Sequence, residues 1–342
     1  MTQTSRRSTM VDVAREAGVS LKTVSRVLNE EIYVREETRV AVLEASEKLN
    51  YKLNQAARTL RAGSAQIVGL LVNNPSPGYL ENVHLGALKQ CHELSMQLVL
   101  DECPDGIEGV KRILQNLTPV GLIITPPLCD DPDVIALLES QNVSYVLIGP
   151  NDPDAARLSV NIDDIAAARD ITEYLLNLGH RRIGYIRGHP DHGASSKRYQ
   201  GYCEALAKFG LEPDENLIRQ GFFDYASGLQ CAESLLDMET PPTAIFASND
   251  DMAAATIAAA YRRHIDVPGE LSIVGFDDTS IAAIISPQLT TVRQPMADLA
   301  ARAISLLSDN SSRRLNGDKT ENNIFLDHSV IVRESAAALP AQ

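Results

Sequence analysis

Apolar residues recur along the chain with two different periods, and the change between them divides it. From residue 11 to residue 49 they return every three or four positions, which is typical of short amphipathic helices. From Gln66 onward, apolar runs such as IVGLLV, GLIIT and TAIFAS alternate with helical segments. Strands that alternate with helices predict parallel sheets built from right-handed crossovers. We therefore expect an all-α head and an α/β body of two doubly wound parallel-sheet subdomains with a cleft between them.

Three short helices are predicted in the head. Thr9 is a natural N-cap for the first helix, and Gly18 supplies the left-handed turn that ends it. Ser20 caps the second helix, whose apolar face includes Val24 and Val27. The predicted helices span Val11–Ala17, Leu21–Asn29 and Glu36–Leu49.

The opposite face of the second helix carries side chains that suit a DNA major groove, which admits one helix. Lys22 and Arg26 lie one turn apart and can donate to guanine acceptors or phosphates, and Leu21 can meet a thymine methyl group. A small helical module with a solvated charged face is the alternative interpretation. The candidate DNA-contacting residues of this region are Ser20, Leu21, Lys22, Thr23, Ser25, Arg26, Asn29 and Tyr33.

The charge distribution supports DNA binding by the head although the formal net charge is −14. Residues 1–63 carry 11 Lys and Arg against 8 Asp and Glu, whereas the remainder carries 20 against 37. A basic head attracts phosphate, and an acidic body repels DNA elsewhere. The chain is therefore expected to bind DNA at one end only.

Composition and motifs exclude several other classes. At 342 residues the chain should form two or three domains. Its five cysteines are scattered without a CxxC pair, and neither a secretory signal nor a run of about 20 apolar residues is evident. We expect a cytoplasmic, nucleoid-associated protein without a membrane partner.

Sequence signatures of enzymes are also missing, because no G-x-G-x-x-G, Walker or G-x-S-x-G motif occurs. His189 and His192 in GHPDHG fit a polar loop better than a metal site. We therefore predict no catalytic residue, no metal and no cofactor. A nicotinamide-dependent oxidoreductase is disfavoured by the missing fingerprint.

The segments TMVDVAREAGVSLKTVSRVLN and TRVAVLEASEKLNYKLNQAARTLR closely resemble the head of the lac-repressor/galactose-repressor (LacI/GalR) family, and the resemblance covers residues 9–335. It implies a sequence-specific transcription regulator, usually a repressor, that binds a pseudo-palindromic double-stranded operator as a homodimer. A small-molecule effector, here a sugar or glycoside, would switch that binding. Leu21 and Lys22 would select the operator, and Arg26 would contact guanine. A sugar-binding protein without a DNA function is the alternative.

The resemblance further implies a hinge over residues 51–64 that folds only on DNA. Pairs of hinges would enter the minor groove and insert Leu60 into the central base step, in keeping with apolar wedges flanked by basic residues. Leu60 could instead anchor the linker against the body. The candidate DNA-contacting residues of the hinge are Asn54, Arg58, Leu60 and Arg61.

The family's effector motifs identify six candidate residues in the body. RYQGYCEAL, FASND, VGFDD and GFFDYASG resemble segments that line the family's cleft, whereas NNPSPGYL departs from the usual first loop. Carboxylates and amides suit vicinal hydroxyls, and an aromatic ring covers the C–H face of a sugar. Phe222 is an alternative to Phe223; Arg198, Asp277 and Phe223 could also be purely structural. The six candidates are Asn74, Tyr79, Arg198, Phe223, Asn249 and Asp277.

The patterns also give provisional domain boundaries. The head covers 1–50 and the hinge 51–64. The first subdomain combines 65–160 with 293–322, the second combines 161–292 with 323–335, and a tail covers 336–342.

Overall fold

A computed structural model of the chain describes residues 9–28, 34–49, 66–154, 158–313 and 323–339. It divides into two compact units, Met1–Ala65 and Gln66–Gln342. The first contains the head and the second contains the α/β body.

The described part of the head contains three helices around a small apolar core. Thr9 and Asp12 form the predicted capping box, in which the Asp12 carboxylate accepts the Thr9 backbone N–H at 2.8 Å. Gly18 has a φ of 66°, so it provides the predicted left-handed turn. The helices are Met10–Glu16 (α1), Leu21–Leu28 (α2) and Glu36–Lys48 (α3), each within one residue of its predicted bounds. Their buried core contains Val13, Ala14, Val24, Val27, Val42 and Ala45.

The body is built on two sheets, each with six strands among the described residues. The strands are Ile67–Val72 (β1), Gln97–Glu102 (β2), Gly121–Ile124 (β3), Tyr145–Ile148 (β4), Ser159–Asn161 (β5), Ile183–Arg187 (β6), Ile218–Gln220 (β7), Ala244–Ala247 (β8), Ser272–Asp277 (β9), Thr290–Arg293 (β10), Asn323–Phe325 (β11) and Ser329–Ile331 (β12). The first sheet has the order β2-β1-β3-β4-β5-β11 and the second the order β7-β6-β8-β9-β10-β12. Only β12, paired with β10, runs antiparallel among these described pairings. The predicted doubly wound fold class is confirmed.

Helices connect the strands and cover the sheets. They are Pro77–Glu93 (α4), Ile107–Asn116 (α5), Pro132–Ser140 (α6), Asp164–Asn177 (α7), Gly193–Lys208 (α8), Tyr225–Leu236 (α9), Asp250–Arg262 (α10), Ser280–Ile284 (α11) and Met296–Arg313 (α12). Short 3₁₀ turns occur at Leu128–Asp130 and Glu215–Leu217. In both sheets the strand order reverses beside the first strand, which opens a crevice at the carboxyl ends of the strands.

The chain passes between the two sheets three times, after β5, after β10 and after β11. The predicted boundary that places residues 323–335 in the second subdomain is wrong for residues 323–325. Asn323–Phe325 pair in parallel with Ser159–Asn161 at the edge of the first sheet, so the last crossover falls between Phe325 and Ser329. A three-residue edge strand carries too few positions for its burial pattern to appear in the sequence.

Part of the predicted tail is packed onto the second subdomain. The Ser335 hydroxyl donates to the Ile273 carbonyl at 2.6 Å, and the Leu339 N–H donates to the Leu178 carbonyl at 3.1 Å. The imidazole of His180 lies within hydrogen-bonding distance of the Ala337 carbonyl, at 3.1 Å. Residues 335–339 therefore belong to the folded body.

Gly86 on α4 allows that helix to pack against α12. A Cβ atom at position 86 would lie 2.0 Å from the Ala297 carbonyl oxygen, and a backbone atom cannot move away cheaply. We expect Gly86→Ala to lower the free energy of unfolding by about 1–3 kcal/mol, as measured by denaturant titration. Lys89→Ala, at an exposed position on the same helix, is the control and should change it by less than about 0.5 kcal/mol. Equal stabilities of the two variants would contradict this packing argument.

Candidate functional sites in the head and in the cleft

The head presents one polar face of α2 to solvent. Val24 and Val27 are buried beneath it, whereas Lys22 and Arg26 are exposed and Leu21 is 40% exposed. An exposed leucine between basic side chains suits a surface that meets both thymine methyl groups and phosphates. Thr23 and Ser25 are half-buried at its margin.

Ser20 and Thr23 are engaged in the helix cap. The Ser20 Oγ accepts a hydrogen bond from the Thr23 backbone N–H at 3.1 Å, and the two hydroxyl oxygens lie 2.8 Å apart. Ser20 is therefore a cap first, as expected for its position. The other predicted contacts lie outside the described residues: Asn29, Tyr33, Asn54, Arg58, Leu60 and Arg61.

A cleft lies between the two subdomains at the carboxyl ends of both sheets. It encloses about 570 Å³ of space outside protein atoms, part of it open to solvent. All six predicted effector residues line it, namely Asn74, Tyr79, Arg198, Phe223, Asn249 and Asp277.

Arg198 occupies the base of the cleft and is almost wholly buried. Its Nε donates to Asp164 Oδ1 at 2.8 Å, and its Nη1 donates to the Ser248 carbonyl at 2.7 Å. The guanidinium also lies over the Phe276 ring, 3.6 Å from its centre. Arg198 is thus held by protein partners, and its first role is to fix the groups around it.

Asp277 joins this network from the end of β9. Its Oδ1 accepts a hydrogen bond from Gln294 Nε2 at 2.6 Å and lies 3.5 Å from Arg198 Nη1. Burial raises the pKa of Asp277 to about 7, although the charge of Arg198 opposes the increase. Its φ of 118° is unusual for a residue other than glycine, so the surrounding structure holds it in a strained conformation.

Asn249 and Phe223 are joined by a hydrogen bond. The Asn249 side chain caps α10 by accepting the Met252 N–H at 3.0 Å, and its Nδ2 donates to the Phe223 carbonyl at 2.8 Å. Phe223 is buried, with a φ of 63°, whereas Phe222 is 42% exposed. Phe223 is therefore the inward member of the pair.

The first loop of the cleft connects the two subdomains. Asn74 Oδ1 accepts the Ser76 N–H at 2.9 Å, and the Ser76 hydroxyl donates to Asp251 Oδ2 at 2.6 Å across the cleft. A Cβ on Gly78 would lie 2.8 Å from the side chain of Thr279. The subdomains therefore touch at this edge of the cleft.

The opposite edge is also closed by a direct contact. Lys197 Nζ on α8 donates to the Pro150 carbonyl at 2.9 Å, and the Gly193 backbone packs against Asn151. The cleft is thus bounded by intersubdomain contacts on two sides.

Sequence reasoning missed several lining residues. Asn161, Asp164 and Gln294 lie at crossovers between the sheets, where the adjoining strands are too short to be recognised. Their position at or shortly after the carboxyl end of a strand was the available signal. Ser76 also lines the cleft and was not among the predicted residues.

His192 was also missed, since its segment was interpreted as a polar loop. It is buried in the cleft wall, with its ring centre 5.6 Å from that of Phe223. Burial and the neighbouring His189 lower the pKa of His192 to about 4, so the imidazole is neutral near pH 7. No group of three or more potential metal ligands occurs among the described residues.

The fold and the cleft define a ligand-binding body of the periplasmic-binding-protein type behind a helix-turn-helix head. Residues 9–54 match the description "Bacterial regulatory proteins, lacI family", and residues 172–336 match "Periplasmic binding protein-like domain". The chain belongs to the lacI family of bacterial regulatory proteins. The interpretation as a binding protein without a DNA-binding module is therefore not supported.

Individual relatives match over nearly the whole length. Catabolite control protein A of Priestia megaterium is 32% identical over 96% of this chain and 98% of that protein. The HTH-type transcriptional repressor PurR of Pasteurella multocida is 30% identical over the same shares. These relatives are transcriptional regulators.

Solved structures of transcriptional regulators also match this chain over nearly its whole length. The lac repressor dimer bound to operator and the anti-inducer ONPF matches with a TM-score of 0.81 and 28% identity, over 97% of this chain and 100% of that one. The transcriptional regulator CelR in complex with cellobiose matches with a TM-score of 0.73 and 32% identity, over 96% and 100%. Among the described residues, every helix is too short or too polar to cross a bilayer.

Asp277 should make stability depend on pH. Its pKa in the folded protein, about 7, exceeds the ordinary aspartate pKa of 3.8, so ionisation of Asp277 disfavours the folded state. We expect the free energy of unfolding to fall by about 2–3 kcal/mol between pH 5 and pH 8 from this group alone. Asp277→Asn should flatten the profile measured by denaturant titration across that range. Asp278→Asn, which removes a carboxylate paired with Arg293 and Arg333, is the control, and a profile unchanged in Asp277→Asn would contradict the assignment.

Proposed function

We propose that this protein is a homodimeric transcriptional repressor whose operator binding is switched by a neutral sugar or glycoside in the cleft of the body. The observation that carries the proposal is the enclosed cleft, in which carboxylates, amides and an aromatic ring converge between two subdomains. A ligand that contacts both subdomains changes their relative position, and this is how distant sites become coupled.

The chemistry of the cleft favours a polyhydroxylated neutral ligand. Asp164 and Asp277 share the single guanidinium of Arg198, so an added anion would meet an excess of negative charge. Their oxygen atoms can accept hydroxyl donors, while Phe223 offers an apolar surface for a sugar ring. The cellobiose complex of a relative that is 32% identical supports a saccharide.

For DNA recognition we assign the exposed face of α2. Leu21 and Lys22 would read operator bases, and Arg26 would contact guanine or phosphate. We further propose that residues 51–64 form a hinge that folds on DNA and places Leu60 in the minor groove, flanked by Asn54, Arg58 and Arg61. Asn29 and Tyr33 would support these contacts.

A two-fold operator requires two heads, and the body offers an apolar surface for a second copy. Leu85 and Leu88 are each 57% exposed and lie one turn apart on α4, and Leu100 is exposed on the edge strand β2. The lac repressor relative is described as a dimer on its operator. We assign this surface to the dimer contact, and we place the protein in the cytoplasm at the nucleoid, without enzymatic activity.

The direct test is an electrophoretic shift with DNA from upstream of the protein's own gene, with and without a panel of neutral saccharides that includes cellobiose. We expect a specific complex that at least one saccharide dissociates. Asp277→Asn should still shift the DNA but no longer respond to that saccharide, because a ligand hydroxyl loses its charged acceptor. Asp278→Asn, whose carboxylate pairs with Arg293 and Arg333, should respond as the wild type does. A complex insensitive to every saccharide would exclude a sugar effector.

Base recognition by α2 predicts a change in operator preference. Lys22→Ala should lose about 1–3 kcal/mol at the operator positions it contacts while tolerating other bases there, as read from a selection on randomised operators. Lys111→Ala, in the body, removes the same charge and should leave the preference intact. A uniform loss across all sequences would mean that Lys22 contacts only phosphate.

A further inference from the structure

A buried chain of hydrogen bonds links the cleft wall to the edge of the first sheet. Asn161 Nδ2 donates to Ser159 Oγ at 2.7 Å, and Ser159 Oγ donates to Asn323 Oδ1 at 3.0 Å. The three residues lie on the paired strands β5 and β11, where Ser159 is directly opposite Asn323. Asn161 is the last residue of β5, at the carboxyl end that faces the cleft.

The chain fixes which way the Asn161 amide points. A hydroxyl group has one hydrogen to donate, and Ser159 gives it to Asn323. With the Asn323 oxygen facing Ser159, the Ser159 hydroxyl can only accept from Asn161, so the Asn161 amide presents its NH₂ group to Ser159. The carbonyl oxygen of Asn161 is then the atom left for another partner.

That oxygen has none among the described residues. Asn161 is 2% exposed, and its Oδ1 is one of three buried side-chain atoms in the described parts of the chain without a hydrogen bond. The other two, His84 Nε2 and Asp130 Oδ2, belong to residues that do not line the cleft. A buried acceptor without a donor destabilises the folded protein. Because this atom lies in the wall of a ligand site, a donor group of the ligand would satisfy it.

We propose that Asn161 Oδ1 is a specificity-determining acceptor for the effector, so that the effector must present an O–H or N–H donor at this point of the cleft. The inference rests on the proposed function. It adds the requirement of a hydrogen-bond donor, which the charge of the cleft does not impose. An ether, a fluorine or a methylated hydroxyl at this position is neutral, yet it cannot donate to Asn161.

Asp164 strengthens the requirement. It follows Asn161 by three residues, at the start of α7, and its Oδ1 accepts from Arg198. The other carboxylate oxygen has no hydrogen bond among the described residues. This corner of the cleft therefore offers acceptors from two neighbouring residues, which suits two adjacent hydroxyl groups.

Asn161→Leu tests the proposal because it removes the acceptor while keeping the branched shape of the side chain. The first readout is the thermal unfolding midpoint of the full-length protein without ligand. If Oδ1 is an unmet acceptor, the midpoint should change little, because removal of an unsatisfied buried group offsets the lost hydrogen bond from Asn161 to Ser159. If Asn161 serves only to satisfy Ser159, the midpoint should fall, and that result would overturn the proposal.

The second readout is the midpoint shift caused by a panel of glucose, galactose, maltose, lactose and cellobiose. We expect the saccharide that shifts the wild type to bind Asn161→Leu about tenfold or more weakly. Ser159→Ala is the matched variant: it keeps Asn161 but frees its amide, so the saccharide should bind with an intermediate loss. Binding to Asn161→Leu at wild-type affinity would refute the assignment.

Deoxyfluoro derivatives of the binding saccharide identify the donor itself. One derivative should bind the wild type weakly, yet show no further loss in Asn161→Leu, because both changes remove the same bond. If no saccharide shifts the wild type, the proposed sugar effector fails. In that case a fall in the ligand-free midpoint of Asn161→Leu would still overturn the present proposal, whereas an unchanged midpoint would keep Oδ1 as an unmet acceptor of the cleft.

Discussion

A guanidinium that is 5% exposed needs anionic partners, and Arg198 has two of them in the body. Asp164 belongs to the helix that follows the first crossover, Asp277 to the end of β9, and the Ser248 carbonyl to the end of β8. One side chain thus ties three separate segments together at the base of the cleft. Removing the guanidinium would leave the buried carboxylates of Asp164 and Asp277 without a counter-charge, which is far more costly than losing an exposed ion pair. The cleft walls are therefore rigid before a ligand arrives.

The hydrogen-bond network around Arg198 and Asp277 extends to the segments that connect the two subdomains. Gln294 follows β10, in the second crossover, and its amide donates to Asp277. The backbone carbonyl of Asn161, at the first crossover, accepts a hydrogen bond from the N–H of Leu326, in the third crossover, at 2.8 Å. Groups that face the cleft are consequently bonded to the segments that connect the two subdomains. A ligand acting on Asp277 or Asn161 acts on those segments directly.

The fold and the site could be predicted from the sequence where the residues that determine a feature lie close together in the chain. Thr9 and Gly18 act on their own turns, so the head helices were predicted to within one residue. Asn249 and Asp277 were predicted because FASND and VGFDD resemble segments that line the family's cleft. Asn161 and Gln294 belong to or follow strands of three or four residues, which no periodicity identifies. The inward position of His192 depends on the packing of a loop against Phe223, which only the tertiary structure determines.

The contact between Gly78 and Thr279 carries a consequence for how such a regulator can be retuned. A single methyl group at position 78 would meet the Thr279 side chain at 2.8 Å and act as a wedge between the subdomains. Position 78 contributes no side chain to a ligand, so a substitution there alters the balance between open and shut arrangements without altering any ligand contact. In an ensemble description, it changes the conformational constant and leaves the intrinsic affinity of each state alone. Sensitivity to the effector and recognition of the effector are therefore separately adjustable in this fold, and selection can shift the concentration at which a gene responds while the identity of the signal stays fixed.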